Sequence, residues 1–265
     1  MEKEILTLEE AAELFGVSVK TFIKLLKEET IPARKIGREW RFSRKALIEW
    51  LSSGNSQDYS SSEKDVKDFF DNVAPEWEKI RENLYDESIK DKLININILD
   101  KDKIVVDLGA GDGFISRSVS GYVKKVIAVD LSSEMLKQLN IKARSSGINN
   151  IETIEGDGLD LPLEDSSVDV VCANMFLHHI DSPELAIREM HRVLKPCGMV
   201  YIADFHEHSN IELTRKMHDI WPGFKSNEIT AWFGKNGFKN IQIDSLINDK
   251  QSKDKIGIFT LTAVK

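Results

Sequence analysis

Cysteine is nearly absent. The two in 265 residues, Cys172 and Cys197, cannot build a disulfide scaffold or a four-thiolate zinc site. Long apolar runs are missing as well, since nothing approaches the roughly 18 uncharged apolar residues of a membrane span. The opening Met1-Glu-Lys-Glu has no secretory core, so the expectation is a cytoplasmic chain with no membrane span. A positive balance is lacking too. A net charge of −8 argues against wholesale coating of nucleic acid, while leaving room for a local basic patch. What is present is enough apolar material for a sizeable core, 41% hydrophobic residues plus 15 glycines, which excludes general disorder.

The charge is unevenly placed. Between Leu14 and Lys45, nine basic residues face three acidic ones, whereas from residue 52 onward 26 basic residues face 35 acidic ones. Residues 52–62 read SSGNSQDYSSS, a polar, serine-rich run with little to bury, the composition of a flexible linker. The expected organisation is a domain at 1–51, a linker at 52–62 and a second domain at 63–265, with no internal repeat.

In the first domain, Leu8, Ala11, Ala12, Leu14 and Phe15 recur at helical spacing, and Gly16 suits a left-handed helix stop. Ser18 can cap a second helix whose Phe22, Ile23, Leu25 and Leu26 mark one apolar side. Two short helices joined through Gly-Val-Ser form a helix-turn-helix pattern. Pro32 then stops the helix, and the run from Ala33 to Phe42 alternates around Gly37 as a small hairpin would. The string LTLEEAAELFGVSVKTFIKLL, with IPARKIGREWRFSRKALIEWL after it, resembles the excisionase-type and MerR-type winged helix-turn-helix along its whole length. Glu29-Thr30 stands where that family usually carries a glycine, a departure at a surface turn. The resemblance implies that the second helix enters a DNA major groove with Lys20, Thr21 and Lys24. It also implies that the wing offers Arg34, Lys35, Arg38 and Arg41 to phosphates or the minor groove. One such module has a small footprint, which points to a homodimer on a palindromic or repeated site. The other reading of the module is assembly with a protein partner, its basic residues forming a solvated face.

In the second domain, Ile104-Val-Val-Asp-Leu is a short apolar strand that runs into Gly109-Ala-Gly111-Asp-Gly113 and then a helical stretch. Strand, glycine turn and helix place backbone N–H groups where a ligand can approach without side-chain clash. A dinucleotide fingerprint would want glycine at 114, which is Phe, so the spacing is G-x-G-x-G. The next strand ends in Asp130, a carboxylate able to accept from both ribose hydroxyls of an NAD or an S-adenosylmethionine. A third strand ends at Glu155-Gly-Asp157-Gly158, and a fourth, Val168–Asn174, leads into Met-Phe-Leu-His-His.

The succession VVDLGAGDGF, VIAVDLSSEML, IEGDGLDLPLEDSSVDVV, NMFLHHI and REMHRVLKPCG resembles the class I S-adenosylmethionine-dependent methyltransferases over about 200 residues. Within them it is most similar to the ubiquinone/menaquinone-biosynthesis branch. Cys197 replaces the glycine usual between Pro196 and Gly198. The fold implied is α/β: a Rossmann-like, doubly wound, mostly parallel seven-stranded sheet, beside the small winged helix-turn-helix. The cofactor implied is S-adenosyl-L-methionine. By the resemblance, Asp107, Gly109, Ala110 and Gly111 lie beside its methionine portion, and Asp130 takes the ribose hydroxyls. Leu131 and Met135 pack near the adenine, Asp157 and the Gly158 backbone meet its amino group, and Asn174 lies under the sulfonium. Asp107 is otherwise a turn or helix cap, and Met135 a core filler.

The segment from Val66 to Trp77 resembles the cap helix of this branch, which makes Phe70 and Trp77 lid candidates. Methyl transfer from an activated donor asks the protein mainly to align the acceptor and exclude water. An acidic acceptor also needs a base. His178 and His179 follow the fourth strand, and His206 and His208 follow Asp204 at the end of the fifth. Loops after adjacent parallel strands meet at one rim. His179 and His206 are therefore the candidate bases, with His178 and His208 beside the acceptor. A histidine cluster with Asp204 would also suit a divalent ion, and a purely structural role stays open; no metal set is assigned.

The place after the fourth strand lacks the Asp/Asn/Ser-Pro-Pro-aromatic loop that holds a flipped base, so DNA is not the expected methyl acceptor. The expectation is a methyltransferase for a small molecule, joined to a DNA-binding module. The alternative is a transcription regulator whose methyltransferase-like domain senses the cofactor or a metabolite without turnover.

Overall fold

The computed structural model describes residues 3–28, 31–37, 39–53, 56–246 and 256–265. The chain forms two compact units, Met1–Ser61 and Ser62–Lys265.

The first unit begins with β1 (Ile5–Leu6) and α1 (Leu8–Leu14). Thr7 accepts from the Glu10 amide while the Glu10 carboxylate accepts from the Thr7 amide, a capping box that satisfies two otherwise orphaned donors. Gly16, at φ +67°, turns the chain out of the helix. Ser18 Oγ then accepts from Thr21 N at 3.0 Å and starts α2 (Val19–Glu28). The wing is a hairpin of β2 (Arg34–Ile36) and β3 (Glu39–Ser43), with Arg34 opposite Arg41 and Lys35 opposite Trp40; β1 pairs with the other edge of β3. Leu6, Ala11, Ala12, Phe22, Ile31, Phe42 and Leu47 make the core, and the Phe22 ring lies 5.5 Å from Phe15 and 5.3 Å from Phe42.

The serine-rich segment departs from its expected linker character. Helix α3 (Arg44–Ser53) runs into it, and α4 (Ser56–Val73) covers most of the rest. Val66, Phe69, Phe70 and Val73 give the later turns of α4 one apolar stripe. Once that stripe has nucleated a helix, adding polar residues at its start costs little, because propagation is far cheaper than initiation. Serine content alone does not register this cooperativity.

In the second unit, α5 (Trp77–Arg81) and α6 (Ser88–Asn95) precede an alternation of strands and helices. The strands are β4 (Ile104–Leu108), β5 (Lys125–Asp130), β6 (Ile151–Glu155), β7 (Val168–Asn174), β8 (Leu194–Phe205), β9 (Lys239–Leu246) and β10 (Ile258–Val264). The helices among them are α7 (Phe114–Val119), α8 (Ser133–Ser145), α9 (Pro183–Val193), α10 (Ile211–Met217) and α11 (Ser226–Lys235). The seven strands order as β6-β5-β4-β7-β8-β10-β9, with β10 antiparallel to both neighbours. This is the Rossmann-like, mostly parallel sheet the sequence implies.

The central strands are covered on both faces and are apolar on both sides, whereas the edge strands β6 and β9 keep exposed polar residues. Val106, Leu108, Val171 and Ala173 pack toward Ala186, Ile187, Met190 and Phe233, while Val105, Val170 and Cys172 pack toward Ile89, Leu93, Ile115 and Val119. The order of strands reverses between β4 and β7, and a crevice opens at their carboxyl ends. No described helix is long and apolar enough to cross a membrane.

Candidate functional site

At that crevice the turns after β4, β5, β6 and β7 surround an open cavity with about 1000 Å³ of empty space. The first turn is built from glycines with positive φ: +68° at Gly109, +53° at Gly111 and +86° at Gly113. Only glycine takes this region without strain. The result folds back on β5, with Gly109 N and Ala110 N both donating to Val129 O at 2.9 and 3.1 Å.

Asp130, at the end of β5, ties two turns together. Its Oδ2 accepts from Gly111 N at 2.7 Å and its Oδ1 from Ser132 N at 2.8 Å. Burial pushes its carboxyl up to about 6 against those amides. Asp107 lies deeper. Its Oδ2 accepts from both the amide (2.9 Å) and the hydroxyl (2.6 Å) of Ser116, and burial pushes it up to about 7. It therefore anchors α7 as well as lining the cavity. Asp157 Oδ1 accepts from Leu159 N at 2.8 Å.

All ten residues expected at the cofactor, from Asp107 to Asn174, line this one cavity, and Phe70 and Trp77 line it too. Phe70 meets Trp77 edge-on at 5.2 Å and His179 at 5.0 Å. Asp71, one residue on in α4, accepts from Ser132 Oγ at 2.6 Å and pairs with Lys67 at 2.8 Å, which fastens α4 to the start of α8.

The histidines divide. His179 lines the cavity; burial, and then the neighbouring His178, push it well below the usual imidazole range, so it is uncharged at neutral pH. His178, expected beside the acceptor, is instead buried behind the wall, its Nδ1 2.6 Å from Asp204 Oδ1. Burial pulls its pKa down, but the Asp204 charge and hydrogen bond outweigh that and the net shift is upward. His206, expected as a base, lies off the cavity: its Nε2 is 2.9 Å from Ser245 Oγ and its ring packs 5.4 Å from Phe259. The antiparallel β10 inserts next to β8, and the end of β8 carries His206 toward that side of the sheet. His208 is also off the cavity, its Nδ1 accepting from Asn210 N at 3.2 Å.

Several lining residues have no motif to announce them. Tyr85 accepts from Asn174 Nδ2 at 3.1 Å, and burial pushes its phenol up. Phe176 lies so close to two turns that a Cβ at Gly109 would come within 2.5 Å of its Cδ2, and one at Gly158 within 2.5 Å of its Cζ. The aromatic string after Asn174 is visible in the sequence, but its insertion between turns about 50 residues apart is not. Tyr85 falls in a segment with no glycine turn or strand to mark it.

The donor set suits an S-adenosyl nucleoside. Asn174 Oδ1 is buried without a hydrogen-bond partner among the described residues, so the floor holds an acceptor awaiting a donor such as an amino group. The carboxylates of Asp130 and Asp157, at the second and third turns, line the same cavity as the aromatic rings.

On the first unit, Thr21, Arg34 and Lys35 are exposed and Arg41 is half-buried. Arg41 pairs with Glu39 and donates to Trp40 O at 2.9 Å. Lys20 and Lys24 belong to α2, with side chains outside the described residues, as is all of Arg38.

Residues 106–202 match a methyltransferase domain family and residues 5–55 a helix-turn-helix domain family. An uncharacterised methyltransferase-like protein of Schizosaccharomyces pombe is 38% identical over 136 residues, 51% of this chain and 50% of that protein. The ubiquinone/menaquinone biosynthesis C-methyltransferase UbiE of a Shewanella species is 31% identical over 121 residues, 44% of this chain and 48% of the enzyme. The chain thus spans about half the length of these relatives. Among solved structures, a Haemonchus contortus phosphoethanolamine N-methyltransferase in complex with S-adenosylhomocysteine superposes with a TM-score of 0.64. It is 18% identical, and the match covers 76% of this chain and 60% of the enzyme. The second unit therefore has the fold of this S-adenosylhomocysteine-bound enzyme, with a methyltransferase-domain match over residues 106–202, and the first unit has a helix-turn-helix match over residues 5–55.

Proposed function

We propose that this chain methylates a small, largely apolar molecule and binds DNA through its first unit. The observation that carries the first half is the composition of the cavity lining. The backbone of the glycine turn and the Asp130 and Asp157 carboxylates share it with the rings of Phe70, Trp77, Tyr85, Phe114 and Phe176. When bound, S-adenosylmethionine supplies an activated methyl group. Asp130 and Asp157 would hold its nucleoside, the glycine turn lets the backbone approach its tail, and Asn174 Oδ1 gives that tail an acceptor. The aromatic wall excludes water and aligns the acceptor by shape rather than charge. His179 is the single histidine on the wall, and its depressed basicity suits an acceptor that arrives already nucleophilic, such as an amine, a thiolate or an electron-rich ring. The partial likeness to the quinone-biosynthesis enzyme makes quinols the first class to try. The purified chain with S-adenosylmethionine should release S-adenosylhomocysteine above background with one class among quinols, phenols, thiols and amines.

The scarcity of a base favours a second reading, a regulator that senses the cofactor without turnover. Tight cofactor binding with background release across the panel would select it. The exposed Arg34 and Lys35 on the wing support DNA binding, as a homodimer on repeated half-sites. Gel shifts with upstream DNA test this, and assembly with protein alone predicts no salt-sensitive shift.

A further inference from the structure

Behind the cavity wall, three side chains from two loops point lone pairs at one another. His178 and His179 sit in the turn after β7, and Asp219 in the loop after α10. The loops are joined firmly: Ile220 N and Trp221 N both donate to His178 O at 2.9 and 3.0 Å, and Trp221 Nε1 donates to Ile180 O at 2.9 Å. The Asp219 side chain has no solvent exposure, yet neither of its oxygens has a hydrogen-bond partner among the described residues. His179 Nδ1 is orphaned in the same way. Asp219 Oδ1 stands 3.6 Å from His178 Nε2 and 3.6 Å from His179 Nδ1, and each of the three side chains offers one ligand atom within 4.8 Å of the others.

These separations are too long for hydrogen bonds. They are close to the spacing of neighbouring ligand atoms on a four-coordinate ion, about 3.3–3.4 Å for bonds of about 2.0–2.1 Å. The outer shell is present as well. A carboxylate can only accept, so Asp204 Oδ1 fixes the proton of His178 on Nδ1 and leaves the Nε2 lone pair free to point at the site. Asp204 itself is spoken for, accepting also from Leu177 N at 3.0 Å and Phe205 N at 2.7 Å. Asp204, which the sequence offers as one member of an ion-binding histidine cluster, thus falls one shell outside these three side chains.

We infer that His178 Nε2, His179 Nδ1 and the Asp219 carboxylate hold a divalent first-row transition cation, with Asp204 aiming His178 at it. Two imidazoles and one carboxylate form a donor set used for zinc and also for non-haem Fe(II). The ion pins the loop after α10 to the turn after β7 and braces the cavity wall through His179. This site is independent of which acceptor is methylated and of whether methyl transfer occurs at all.

The test uses the full chain, stripped with a chelator and titrated with Co(II). A saturable visible absorption of four-coordinate type, ending at one equivalent and abolished by Zn(II), is the expected result. Asp219→Asn and His178→Ala should remove that end point. Asp204→Asn should weaken affinity 10- to 100-fold, in keeping with the usual effect of losing an outer-shell partner, about that size. His206→Ala should leave uptake unchanged. Absence of a saturable absorption in the folded, unsubstituted chain would overturn the assignment, whatever the variants do. It would mean that an imidazolium–carboxylate cluster sharing a proton fills the space. An undiminished end point in Asp219→Asn would overturn it equally.

Discussion

Asp130 connects sequence to ligand more directly than any other side chain. It is held by two backbone amides, at 2.7 and 2.8 Å, and is half-buried at the cavity lining. Asp130→Ala removes a charged acceptor, worth about 1.5–3 kcal/mol per hydrogen bond, so cofactor affinity should fall at least tenfold by calorimetry. Because burial lifts this carboxyl from 3.8 to about 6, it takes up a proton as pH falls through 6. Affinity should then drop along with it. The empty fold responds with the opposite sign. Asp130 and Asp107 bind protons in the folded chain before they do so unfolded, so acid between about pH 7 and 4 favours folding at these two sites. Affinity that holds constant from pH 7 to 5 would contradict the role of Asp130. At Gly158 the constraint is steric. Gly158→Ala should lower both Tm and cofactor affinity, and Phe176→Ala in the same chain should recover part of the loss by making room for the new methyl group.

Helix α4 is the element whose behaviour is most open to change. It is bound to α8 through the Asp71–Ser132 hydrogen bond, and its aromatic face closes over Trp77. Asp71→Ala leaves that face intact while loosening its fastening. Hydrogen exchange in 62–73 should quicken, and cofactor affinity should weaken by about three- to tenfold, the size of one hydrogen bond. Unchanged exchange would mean that the aromatic contacts alone hold the helix. The same element shows where composition misleads: the six serines of residues 52–62 suggest an open connector, and a downstream apolar stripe makes a helix of most of it. The strands were easier to read. The central parallel strands β4, β5 and β7 are short, largely apolar runs because both faces are covered, and they run out at Gly109, Asp130 and Asn174. The histidines resisted such reading. Which side of a rim a residue takes depends on the neighbour strand, and the antiparallel β10 that draws His206 away lies some 50 residues downstream. Asp219 carries no periodic signal at all; only the folded loop brings it under His178.

At the scale of the whole chain, the acidic surplus lies in the second unit, while the first is balanced overall and gathers its basic residues between Leu14 and Lys45. The basic wing should bind DNA with a steep salt dependence, and Arg34→Ala should reduce the slope of log K against log salt by about one while leaving cofactor affinity unchanged. A slope unaffected by removal of wing cations would count against a phosphate contact there.

The Phe176 ring has a consequence for how the cofactor is felt. Wedged against Gly109 on one side and Gly158 on the other, it works as an axle shared by the two mouths of the crevice. Whatever rotates it relaxes both rims together. Adenosine and methionine offered as separate fragments should each meet a half-closed crevice, and the nucleoside joined to its amino acid should bind far better than the sum of the pieces.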